Sequence, residues 1–147
     1  MAGGFTLVQD AIHSLEQVLN EAFTLAKGKK EEEIFWIDAD VNISDISWGM
    51  HQQIDRFAPF GVGNEKPVFK FSGVPIKDVK LFGKEKNHLE VILGDEMKSI
   101  KAIKFFSRPE HFTRPPQVGE IRDIIATLEK STFGYRPELR LRIVDVL

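Results

Sequence analysis

The 147-residue chain contains no cysteine. This excludes disulfides and thiolate metal sites, and it fits a reducing compartment such as the cytoplasm. No apolar run approaches the ~18 residues that a membrane span requires, so no membrane partner is expected. Met1-Ala2-Gly3-Gly4-Phe5 offers neither a basic n-region nor an apolar h-region, and no signal peptide is expected. Histidine is sparse. His13, His51, His88 and His111 stand apart, with no His-x-x-x-His pair and no Asp-His-His run. No serine lies in a Gly-x-Ser-x-Gly elbow. Gly61-Val62-Gly63 lacks the third glycine and the strand-to-helix context of a dinucleotide loop. No segment repeats, and no low-complexity tract occurs. The expectation is no catalytic residue and no metal ligand set within these residues.

What is present is a charge asymmetry hidden under a net charge of −2. Residues 1–67 hold 5 Lys/Arg against 11 Asp/Glu, a net of −6; residues 68–147 hold 15 against 11, a net of +4. The second half is the better candidate for contact with a polyanion. An ordinary solvated surface is the alternative.

Thr6 to Ala26 reads as an amphipathic helix, with Val8, Ile12, Leu15, Leu19, Ala22, Phe23 and Ala26 at spacings of three and four. Thr6 with Gln9 forms a capping-box pattern, and Lys27-Gly28-Lys29-Lys30 supplies the stop. Its apolar face reads as packing. Ile34 to Val41 reads as a strand. It carries Asp38 and Asp40 on one side, which suits either a metal pair or surface and capping roles. Ser47 to Phe57 reads as a second helix, with Ser47 as N-cap and Trp48, Ile54 and Phe57 as anchors. Ala58 to Pro67, with two prolines, two glycines and Asn64, is an ordered connector. Phe57 and Phe60 are expected to be buried between connector and barrel.

From Val68 the pattern changes to period two. Strands are predicted at Val68–Leu81, His88–Leu93, Ser99–Phe106, Glu120–Glu129 and Glu138–Val146. Gly73 and Pro75 suggest a bend in the first. Five strands, the first bent, fit a small barrel of the OB type. The fold class is α+β: an N-terminal helical and strand segment packed with a five-stranded OB barrel.

A single-strand binder joins cations for phosphates with aromatic faces for bases. Alternation on the last strand points Leu139, Leu141 and Ile143 one way and Arg140 and Arg142 the other. Lys101 and Lys104 on the third strand and Lys84 and Lys86 in the first hairpin add cations. Phe133, Tyr135 and Arg136 lie in the loop before the last strand, one of the two recurrent nucleic-acid loops of this fold. With His88 and Phe106, these eleven residues form the candidate nucleic-acid site. Each has a second reading. Of Phe105 and Phe106, one is core and the other exposed. Tyr135 either stacks on a base or packs on the barrel wall. Arg140 and Arg142 either contact phosphate or protect a strand edge. His88 is a surface strand residue or a base contact.

Three blocks resemble the RecJ family of single-strand-specific 5′-to-3′ exonucleases. Met1-Ala2-Gly3-Gly4-Phe5-Thr6-Leu7 looks like the tail of the glycine- and histidine-bearing motif of the DHHA1 domain. Pro59-Phe60-Gly61-Val62-Gly63-Asn64, with Pro67 and Phe69, resembles the Pro-Phe-Gly-x-Gly-Asn connector into the OB domain. Phe82-Gly83-Lys84, His88-Leu89, Ile103-Lys104-Phe105, Thr127-Leu128-Glu129, Phe133, and Leu139 to Ile143 with Asp145 follow the family's order. Gly3 and Glu65 depart from the usual alanine and proline. The resemblance implies an organisation of 1–58 as the end of a DHHA1-like domain, 59–67 as connector and 68–147 as OB domain. It implies a fragment without the catalytic DHH domain, which holds single-stranded DNA. The expected cofactors are none here and Mn2+ or Mg2+ for the whole enzyme. The expected partners are single-stranded DNA, the DHH and DHHA1 domains and a single-strand-binding protein. The implied setting is recombination and repair in the bacterial cytoplasm. A protein-interaction module that recruits a repair partner is the alternative, because fold alone does not choose.

Overall fold

A computed structural model describes residues 6–26 and 36–147, apart from the side chains of Gln9 and Ala26. Residues 1–5 of the first family block, the Lys27–Lys30 stop and the Ile34–Phe35 start of the expected strand lie outside the described residues. The chain divides into two compact units, Met1–Phe35 and Trp36–Leu147. The second begins well before Val68, where the sequence pattern changes. Ile46 and Ile54 explain why, since both belong to the same core cluster as the barrel strands.

In the first unit a 3-10 turn, Gln9–His13, precedes helix α1, Leu15–Ala26. Thr6 does not cap it. The N-cap position is Val8, which has no side-chain acceptor, and an uncapped first turn tightens to 3-10. The apolar stripe expected to pack leaves Val8, Ile12, Leu19 and Phe23 exposed.

The second unit opens with strand β1, Ala39–Asp40, and helix α2, Trp48–Asp55. β1 is far shorter than the sequence pattern suggests. Ser47 caps α2 as expected, its hydroxyl accepting the Met50 N–H at 3.2 Å. Ile54 is the buried anchor; Trp48 and Phe57 are exposed, contrary to expectation. The helix is only eight residues long, so one turn-spaced stripe reaches the core. The connector after it is held by Asn64. Its side-chain amide donates to the Phe57 carbonyl at 2.8 Å and the Pro59 carbonyl at 2.9 Å, which turns the chain and leaves Phe57 facing solvent. Phe60 is half-buried against the core.

Five long strands follow: β2, Phe69–Phe82; β3, His88–Gly94; β4, Ser99–Lys104; β5, Ile121–Ser131; and β6, Glu138–Val146. Their order is β2-β3-β4-β6-β5, and β5 pairs back on β2 to close the barrel. β4 and β6 run parallel; the other barrel pairs are antiparallel. This is the five-stranded OB barrel that the sequence pattern implies.

Closure depends on the bend in β2. Residues Phe69–Pro75 pair with β5 and Ile76–Phe82 with β3. The register shifts between Phe71 and Val74, and Gly73 there has φ +61°, a conformation that suits glycine. Its N–H donates to the Asp123 carboxylate at 2.8 Å, pinning the bulge to β5. Phe71, Leu89, Val91, Leu93, Ala102, Ile124, Leu128 and Leu141 fill the interior, each at most 1% exposed. The alternation that buries them sends their neighbours outward, and this creates a wall.

Candidate nucleic-acid interface

Register aligns the outward residues into rows across five strands. One row runs Lys80, Glu90, Ile103, Arg142 and Thr127; the next runs Asp78, Ile92, Lys101, Arg140 and Glu129. A third begins with the cross-strand pair Phe82 and His88 beside the β2–β3 turn. The parallel β4–β6 pairing brings Arg140 and Arg142 beside Lys101 and Ile103. The turn at residues 83–87 and the loop at 132–137 therefore bracket this wall from opposite ends.

The turn end is aromatic. His88 lies 5.2 Å from Phe82, 5.1 Å from Phe105 and 4.9 Å from Phe106, centroid to centroid. These are edge-to-face or tilted distances at which aromatic pairs attract. Phe106 N–H donates to His88 Nδ1 at 3.0 Å. Phe106 has φ +50° and is 78% exposed. A non-glycine residue in this conformation costs about 1–2 kcal/mol. Phe105 is not core. It is half-buried on the outer wall, because β4 ends at Lys104 and the alternation stops there.

The cations divide. Arg142 is exposed, has no ion-pair partner among the described residues, and lies with its Cζ 4.3 Å from the Phe105 ring centroid. Arg140 donates from Nε to Glu129 at 2.6 Å, with Cζ 5.7 Å from the same ring. Lys101 pairs with Glu138 at 2.9 Å, and Lys80 with Glu90 at 2.9 Å. The Glu90 carboxylate, by accepting a hydrogen bond from the Lys80 ammonium, holds the Lys80 pKa above its ordinary value. Neither Arg140 nor Arg142 guards a free edge, since β6 is paired on both sides.

Lys104 is the expected site residue that the structure removes. It pairs in register with the buried Leu89, its ammonium donates to the Val144 carbonyl, and it lies 4.9 Å from the Phe112 ring centroid. A spacing of three from Lys101 sends it to the opposite side of the strand. Lys84 and Lys86 are exposed in the turn, at the aromatic end, without ion-pair partners among the described residues. Phe133 and Tyr135 stand fully or nearly fully exposed in the opposite loop, and Arg136 is exposed beside them. Tyr135 therefore does not pack on the barrel wall.

Sequence reasoning missed Phe82, Phe105 and the carboxylates Glu129 and Glu138. Phe82 was legible, since a short turn after it sets it opposite His88. Asp38 and Asp40 are engaged within the fold: Asp38 accepts the Val68 N–H at 2.8 Å, and Asp40 accepts the Ser72 hydroxyl at 3.1 Å. Among the described residues no three His, Asp or Glu side chains gather where a divalent ion would need them. These residues do not fit a Mn2+ or Mg2+ site.

A family model for the RecJ OB domain matches residues 37–145. The single-stranded-DNA-specific exonuclease RecJ of Bacillus subtilis is 27% identical over 109 residues, covering 71% of this chain and 14% of its own length. This chain thus spans about one seventh of that relative. Two structures of RecJ from Thermus thermophilus, in complexes with Mg2+ and with Mn2+, share the fold. Their TM-scores are 0.53 and 0.52, each at 16% identity. They cover 97% and 98% of this chain, and 21% and 20% of their own. No described helix is long and apolar enough to cross a membrane.

Proposed function

Since this chain belongs to the RecJ OB domain family, we propose that its barrel wall holds single-stranded DNA for a metal-dependent 5′-to-3′ exonuclease. The observation that carries this reading is the meeting of Arg142 with the ring of Phe105, which packs with Phe82 and Phe106 around His88. Rings offer faces to unpaired bases, and a stacked base contributes about 1–3 kcal/mol. A duplex buries those faces, so the wall favours single strands. Arg142, Lys84, Lys86 and Arg136 serve the phosphates. Lys101 and Arg140 serve them only after exchanging a carboxylate for a phosphate.

Bond cleavage would fall to the DHH domain of the parent enzyme, where Mn2+ or Mg2+ would serve to activate water. The natural setting is DNA recombination and repair in the bacterial cytoplasm, with the DHH and DHHA1 domains as neighbours. The test is fluorescence anisotropy with a labelled oligothymidine and its duplex counterpart over a salt series. Tighter binding of the single strand, weakening with salt, is the expected result. Equal affinity for both forms refutes the reading.

A further inference from the structure

We propose that His88 is the positioning residue that sets the Phe106 ring as a base-stacking platform, an inference that rests on the wall being a single-strand site. Phe106 lies two residues beyond the end of β4 and turns into the left-handed region, where a phenylalanine is strained. The residue does not fill the core, being 78% exposed. Packing therefore does not explain the strain. What holds the conformation is the bond from Phe106 N–H to His88 Nδ1 at 3.0 Å. In that bond Nδ1 is the acceptor. The two rings meet edge to face, 4.9 Å apart at 84°.

His88 is itself packed on two sides. Phe82 and Phe105 pack against its ring. Gly83, with φ +87°, leaves the third side open; a Cβ there would stand 2.8 Å from His88 Cδ2. The support runs from Gly83 through His88 to Phe106. An exposed ring fixed in a strained backbone is what stacking on a flexible strand calls for, because its ordering is complete before the base arrives. His88 thus acts through Phe106 rather than on the strand.

The test separates ring from acceptor. H88F keeps an aromatic ring and loses the acceptor; H88N keeps an acceptor near Nδ1 and loses the ring. Affinity for oligothymidine is measured for wild type, F106A, H88F, H88N and H88F/F106A, with thermal unfolding run on the same samples. F106A is expected to lose about five- to hundredfold. H88F should lose a comparable factor, the double variant no more than F106A alone, and H88N little. The proposal is overturned if H88F binds like wild type, if the two losses multiply, or if F106A costs nothing while wild type prefers single strands. Should H88F fail to fold, H88N decides: near-wild-type affinity supports the proposal, and a loss equal to F106A overturns it. Wild type that fails to distinguish single strand from duplex overturns instead the reading beneath.

Discussion

Arg142 lies over the ring of Phe105, Cζ to centroid 4.3 Å, although the two residues belong to segments 37 positions apart in sequence. Parallel pairing of β4 and β6 brings them together. A guanidinium over a ring is attracted by the ring's quadrupole and keeps its N–H donors at the edges for an anion. R142A should weaken binding of oligothymidine and lower the slope of log affinity against log salt by about 0.7. R142K should restore part of the slope and less of the affinity, because an ammonium does not stack as a plane. A salt titration of all three proteins measures both.

Glu138 occupies Lys101, and Glu129 occupies Arg140. The Lys101 pair is close to half-exposed, a setting in which ion pairs are weak and an incoming phosphate can take the carboxylate's place. E138Q should raise affinity at low salt and steepen the salt slope. K101A should cost less than R142A. K104A should leave the slope unchanged and lower the unfolding midpoint, since Lys104 serves the barrel end. An E138Q protein that binds no tighter than wild type refutes the exchange.

Phe133 and Tyr135 cover nothing in the fold, so removing them tests the loop without disturbing the barrel. Y135A and F133A should each reduce affinity, by up to the ~1–3 kcal/mol of a stacked base. Their stability should stay within about 0.5 kcal/mol of wild type. Paired anisotropy and urea unfolding check this.

Asp123 fastens the β2 bulge. Its carboxyl is held below the ordinary range, first by the Gly73 N–H and then by Lys70, whose ammonium lies 2.9 Å away. A depressed carboxyl stabilises the fold while ionised, and this contribution is lost as pH falls through the folded-state value. Wild type should therefore lose stability on acidification more steeply than D123N. The gap between the two should be widest near neutral pH and should narrow below the carboxylate range. Urea midpoints across a pH series would show it; a constant gap would contradict it.

Leu141 sits fully buried on β6 between the two outward arginines. L141A should cost about 2–5 kcal/mol, measured by urea unfolding. A truncation at exposed Val62 should be near neutral.

The sequence by itself determined the five strands, the Ser47 cap, the bend at Gly73 and the sides on which Leu141 and Arg142 lie. Each of these is a local matter: period two, one hydroxyl near an N–H, one glycine where φ turns positive. It also carried the family resemblance through the connector, whose Asn64 bonds are made within seven residues. The exposure of Phe57 and the outward place of Phe105 were decided by tertiary structure. So was the split between Arg142, free to meet an anion, and Lys101 and Arg140, already paired with Glu138 and Glu129. Those pairings depend on which strand lies beside which and in what register, and closure of the barrel fixes both across dozens of residues. Alternation tells a side chain which way to point, but only the neighbouring strand supplies what it meets there.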